Sequence, residues 1–259
     1  MVKTIAISSG KGGVGKTSLA VNSSAQLSLK GNSVALLDAD FGMANSHILL
    51  DIKVNNTVQD ILENDVKIDD VIHETSSGLK LIPGGSGILE LLNLNSKKRW
   101  EIIRALDPLK SCLDYLIVDT PAGASDASIE FAAACDQVVV VLVPEPTSFM
   151  DAYAFIKALN MEKNFQTVSV VVNLANNAAV AKKSFESFKK IVIKFLEIEV
   201  DFAGWLPRNK LIASSIVARK PVVLRSSLDN AVKDNFNSIA DFFSNGVENK
   251  TGGIKFFSK

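Results

Sequence analysis

The chain has 259 residues, 47% of them hydrophobic and 22% charged, a balance that fits one large globular α/β domain better than two small ones. Its 28 basic and 28 acidic residues cancel, so nothing pulls the whole molecule toward nucleic acid or acidic lipid, and either partner would need a local patch. The two cysteines, Cys112 and Cys135, form no CxxC, which argues against a disulfide framework or a zinc ribbon and for a reducing cytoplasm.

Residues 1–8 ("MVKTIAIS") are too short and too alternating for a signal peptide. No apolar run reaches the roughly 18 residues that cross a bilayer. Short β-rich runs recur instead: "KTIAISS", "SVALLD" after Gly31, "LKLIP", "YLIVD", "QVVVVLV", "TVSVVVN" and "VDFAGWLP". The run "VVVVLV" does not alternate, as expected of a strand covered on both faces in a parallel sheet. Segments of helical period lie between, at 16–30, 97–109, 126–135, 148–162, 178–197 and 226–244. In the first, Ala20, Ser23, Ser24 and Leu27 make a face of small residues suited to close packing, and Lys30-Gly31 reads as its stop. This alternation predicts a doubly wound α/β domain over 1–246: a mostly parallel sheet with helices on both faces. Ligands of such sheets bind at the carboxyl ends of the strands, so the motifs should follow the β runs.

They do. Gly10-Lys11-Gly12-Gly13-Val14-Gly15-Lys16-Thr17, with Ser18 behind it, fits G-x-x-x-x-G-K-[ST] between a predicted strand and a predicted helix. The glycines let backbone N–H groups turn toward phosphate, and the helix start adds its positive dipole end. Lys16 is assigned to the β- and γ-phosphates of ATP, and the Thr17 hydroxyl to Mg2+. "LLDAD" ends a strand at Asp38 and Asp40. "LIVDTPAG" ends another at Asp119, behind the apolar run Tyr115 to Val118, in a Walker-B-like arrangement that delivers a carboxylate toward the metal. Asp38 is the second acidic candidate for the metal. Asp40 is the candidate for holding the attacking water, with Gly42 letting its loop move when the γ-phosphate leaves. The competing reading is that these aspartates only start turns.

Lys11 has no role in an ordinary phosphate loop. K-G-G-V-G-K-T resembles the deviant Walker A motif of the MinD/ParA superfamily of dimerising ATPases, and the likeness extends through "LLDADFGMAN", "DYLIVDTPAG" and "FAGWLPRN". The resemblance implies a homodimer formed with ATP, in which Lys11 crosses to the partner's phosphates while Lys16 serves its own. It also implies that Asn173 and Pro207 belong to the adenine pocket; an Asn amide offers a donor and an acceptor to a base edge. A simple strand-end turn is the alternative for Asn173.

Within the superfamily, "DADFGMANSHILL", "LIPGGSGILELLNL" and above all "VPEPTSFMDAYAFIK" resemble the FlhG (FleN/YlxH) regulators of flagellar number and placement. That likeness implies the flagellar GTPase FlhF and flagellar switch components as partners. It also implies a cytoplasmic protein that associates reversibly with the inner face of the cell membrane, including the cell pole. Many FlhG proteins carry an extension before the first strand. This sequence begins at the strand, so such contacts are expected elsewhere.

The tail, 247–259, contains "GGIKFFSK". MinD-type proteins end in a short amphipathic membrane helix, and 253–259 looks like a fragment of one. Burying one Ile and two Phe contributes up to ~4–9 kcal/mol. Ordering about seven residues costs at least ~7 kcal/mol. A single copy should bind weakly, and two copies in a dimer should bind through effective concentration. A tail without a role is the competing reading.

Lys182, Lys183, Lys189, Lys190 and Lys194 read as a solvated helix face, and DNA is not the expected partner. His47 and His73 lack metal-ligand spacing. Three functions remain open: the FlhG-type switch, a MinD- or ParA-type positioning ATPase for division site, cargo or DNA, and an iron–sulfur carrier ATPase. The last needs paired cysteines at a dimer axis, and neither Cys112 nor Cys135 is placed for that.

Overall fold

The computed structural model describes residues 2–41, 44–64, 66–85, 95–246 and 254–257. Eight strands form one sheet: β1 (Lys3–Ser8), β2 (Val34–Asp38), β3 (His73–Glu74), β4 (Lys80–Ile82), β5 (Tyr115–Asp119), β6 (Gln137–Leu142), β7 (Thr167–Ala175) and β8 (Glu199–Pro207). Their order is β3-β4-β2-β5-β1-β6-β7-β8, parallel throughout except for β3 against β4. All seven β runs of the sequence are strands; β3 adds a short antiparallel edge.

The connecting helices are α1 (Lys16–Leu29), α2 (Ser46–Leu49), α3 (Val58–Asn64), α4 (Ile68–Val71), α5 (Ser96–Ala105), α6 (Asp126–Ala133), α7 (Pro146–Lys163), α8 (Ala178–Phe195), α9 (Lys210–Val217) and α10 (Asn230–Asn245). The strands are apolar on both faces because two cores press on the sheet. In β6, Val138, Val140 and Leu142 join one core with Phe155 of α7 and Phe188 of α8. Val139 and Val141 join the other with Leu19 of α1 and Phe236 of α10. The expected helices at 97–109 and 226–244 shift at their ends. The first gives way to a 3-10 turn over Asp107–Ser111, which carries Pro108, and the second starts at Asn230, capped by Asp229.

The tail departs from expectation. Residues 247–253 and 258–259 lie outside the described residues, but Phe256 and Phe257 are 4% and 7% exposed, packed into the core on the α5–α8 side rather than standing free for lipid. The segment is held by several bonds: Phe256 N–H donates to Ala134 O, Lys255 Nζ donates to Cys135 O, and the Arg104 guanidinium donates to Lys255 O. Lys255 also lies 5.0 Å above the Phe165 ring. Only Ile254 stays largely exposed. Sequence alone could not show this, since the docking uses partners more than a hundred residues away. Gly42 and 86–94, where loop motion and part of the FlhG likeness were read, also lie outside the described residues.

Candidate nucleotide site

The loop from Ser9 to Gly15 joins the carboxyl end of β1 to α1. Gly15 caps the helix with φ 89° and ψ 22°, a left-handed conformation in which any side chain is strained. No side chain caps the first turn of α1, and no acidic residue lies in it. Its N–H groups and dipole are therefore available to an anion. Gly10 is needed for a different reason. A Cβ there would lie 2.0 Å from the Asp151 carbonyl oxygen, so the loop is pressed against the backbone of α7. The loop opens onto a cavity of about 490 Å³, lined by Lys11 to Gly13, Gly15 to Ser18, Asp40, Asn45 and apolar side chains that include Ile48 and Ile216.

Beneath the loop, Lys16 Nζ lies 2.7 Å from Asp119 Oδ1, and both side chains are buried. Asp38 sits opposite Asp119 in the β2–β5 register, so two carboxylates share one lysine. Asp38 Oδ2 accepts the backbone N–H groups of Asn45 and Ser46 at 3.0 and 2.8 Å, fastening the entry to α2. Burial, and then the neighbouring Asp119 charge, push the Asp38 carboxyl up to about 7; the Ser46 bonds and Lys16 hold it back. Asp119 Oδ2 is buried without a hydrogen-bond partner. An orphaned carboxylate oxygen and an excess of negative charge beneath a cavity that Lys16 and Thr17 line are what a hard divalent cation satisfies. These residues fit Mg2+ held beside a nucleotide.

Asp40 is half-buried at the cavity wall, and its backbone N–H points to Asp38 Oδ1 at 3.3 Å. Lys11 is exposed. Its Nζ donates to Thr147 Oγ1 at 3.4 Å, at the start of α7 and away from Lys16. Asn173 is placed differently from expectation. Its Nδ2 donates to Val14 O at 2.7 Å and its Oδ1 accepts from Leu174 N–H at 2.9 Å, so the amide braces the phosphate loop from below. Pro207 ends β8 opposite Ala175. Beside these strand ends lies a cavity of about 120 Å³, lined by Glu145, Leu174, Asn176 and Arg208 among others; sequence reasoning assigned none of them a nucleotide role, although Glu145 and Arg208 lie in the stretches "VPEPTSFMDAYAFIK" and "FAGWLPRN". The signal available was position: Glu145, Asn176 and Arg208 follow the ends of β6, β7 and β8, while Leu174 lies near the end of β7 itself. Thr147 was likewise missed as a contact of Lys11, although "EPTS" had been noticed.

A phosphate loop at the end of the central strand, a buried lysine and a carboxylate pair define a P-loop nucleotide hydrolase of the doubly wound α/β class. The AAA domain family profile matches residues 2–172. The antiactivator FleN of Pseudomonas aeruginosa is 33% identical over 221 residues, covering 85% of this chain and 79% of FleN. The flagellum site-determining protein YlxH of Helicobacter pylori is 31% identical over 251 residues, covering 96% of this chain and 81% of YlxH. The septum site-determining protein MinD of Pyrococcus horikoshii OT3, solved in complex with Mg-ADP, shares the fold with a TM-score of 0.76 at 23% identity, covering 93% of this chain and 95% of that one. The chain belongs to the AAA-domain ATPases of the MinD/ParA superfamily, in the group of FleN and YlxH.

Proposed function

We propose that the protein is an ATP-switched dimer that sets flagellar number or placement; the likeness to the antiactivator FleN and to YlxH, named as a flagellum site-determining protein, supports this reading. The observation that carries the switch is the Lys16–Asp119 bridge. Without nucleotide, the loop lysine is neutralised by the carboxylate assigned to the metal side. Phosphate binding draws Lys16 away and frees Asp119 to face Mg2+, together with Thr17 and Asp38. Bound Mg2+ supplies charge neutralisation at the phosphate oxygens. Asp40 orients the attacking water at the cavity wall. Lys11 leaves Thr147 and reaches the phosphates of the partner subunit, so loss of the γ-phosphate weakens the dimer. Adenine lies toward the ends of β7 and β8, in the cavity beside Asn173 and Pro207.

Association with a membrane surface through 253–259 requires Phe256 and Phe257 to leave the core, which couples attachment to a change of state. FlhF and flagellar switch components are the partners this reading names. A division-site role is the second reading, supported by the fold shared with MinD. An iron–sulfur role is opposed by the full burial of Cys135. Deleting the gene and counting flagella per cell tests the reading directly. A changed number or position is expected; unchanged flagella with altered division would favour the second reading.

A further inference from the structure

The edge of the sheet formed by β8 is built to receive a strand. Among the described residues β8 pairs only with β7 and ends the sheet order, so no strand covers its outer edge, although Trp205 O already accepts from Asn235 Nδ2 of α10 at 2.8 Å. Phe202 lies opposite Val170 and Gly204 opposite Val171, so Ala203 is an extra residue, a bulge that turns the strand at its middle. At this point α10 comes close: a Cβ on Gly204 would meet Ile239 at 2.7 Å. Between the edge and α10 runs a groove of about 540 Å³, with Phe202, Trp205 and Phe242 as apolar walls and Asn235 and Asn245 as polar ones. A second hollow, of about 590 Å³, lies along the start of the strand beside Ile193, Glu197 and Glu199.

The charged side chains on β8 itself are all acidic. Glu199 and Asp201 alternate along β8, which puts them on one side, Glu197 lies just ahead of the strand, and no salt bridge joins any of the three among the described residues. Asp241, at the rim of the groove, is paired with Lys30. A bulge and carboxylates on an edge commonly block self-pairing, and here they disfavour a second copy, whose own carboxylates would meet these. The same charges favour a strand of opposite sign. We propose that the β8 edge binds an extended, lysine- or arginine-rich segment of a partner protein, which adds as a strand while an apolar side chain enters the groove beside Trp205 and Phe242. The backbone supplies the attraction, the groove the register, and the carboxylates the choice of partner.

The probe is a short synthetic peptide alternating lysine with valine and carrying one central leucine, read by fluorescence anisotropy. A glutamate-for-lysine copy and a copy N-methylated at alternate residues serve as controls. Binding of the basic peptide alone is expected, weakening with salt and slowing amide exchange in 200–205. Glu199→Lys with Asp201→Lys should weaken it about tenfold or more, leaving ATP turnover unchanged. Equal binding of the acidic or N-methylated copy, or no binding of the basic one, would overturn the proposal. So would nucleotide-independent dimerisation of the parent protein through this edge, which would make it an interface between copies.

Discussion

Lys16 Nζ stands 2.7 Å from Asp119 Oδ1 in a site where both side chains are buried. The nucleotide lysine therefore serves two purposes: it awaits phosphate, and until phosphate arrives it neutralises a carboxylate the fold has buried. Removing it should harm the empty protein as well as the loaded one. Lys16→Ala is expected to abolish ATP binding and to destabilise the nucleotide-free protein by about 3–5 kcal/mol, the usual cost of stranding one member of a buried pair. Lys16→Met combined with Asp119→Leu should regain much of that stability without regaining ATP. Chemical denaturation of the three proteins checks this, and a Lys16→Ala protein as stable as the parent would contradict it.

Asp38 predicts a pH dependence. Its carboxyl titrates near 7 in the fold against 3.8 when free, so between those values the native state holds a proton that the unfolded chain has lost. The contribution of this group is fully present below the free value and is lost as pH rises through the folded one. The melting temperature of the nucleotide-free protein should fall between about pH 4 and about pH 7 more steeply than that of Asp38→Asn, whose amide oxygen still accepts from Asn45 and Ser46. Mg2+ competes with the same proton, so loading with Mg-ATP should strengthen over this range. Identical profiles for parent and variant would count against the shift.

The docked tail gives a third expectation. Phe256→Ala removes a ring that is 4% exposed, and the loss is bounded by about 3–5 kcal/mol, or by the free energy of undocking if that is smaller. Either way the variant should melt earlier, and its C-terminus should be trimmed faster by carboxypeptidase. Amides at 254–257 that exchange at unfolded-chain rates in the parent would show that the segment is free.

Much of this was legible before the structure. Strands apolar on both faces announced a covered parallel sheet, and the spacing Gly10 to Thr17 put the phosphate loop at the end of β1. Asp38 and Asp119 were visible as strand-end carboxylates. Their sharing of one lysine was not, because β2 and β5 are far apart in the chain and become neighbours only in the folded sheet. Asn173 shows the same limit. Its amide chemistry was read correctly as a donor and an acceptor, but which groups it meets depends on how β7 lies beneath the loop, and it meets Val14 O and Leu174 N–H. Phe256 and Phe257 looked like a free amphipathic end because sequence shows the pattern of a segment and not the cavity that accepts it. Short α2 to α4 and the two-residue β3 carry too few residues for any period to emerge.

The central claim is that Lys11 serves a partner subunit. Its side chain is exposed, and among the described residues its Nζ donates to Thr147 Oγ1. Sedimentation of the parent and of Lys11→Ala, each with and without Mg-ATP, tests this most directly. The account predicts a parent that is monomeric alone and dimeric with Mg-ATP, and a Lys11→Ala protein that still binds ATP but stays monomeric. A Lys11→Ala protein that dimerises with Mg-ATP as the parent does would contradict it.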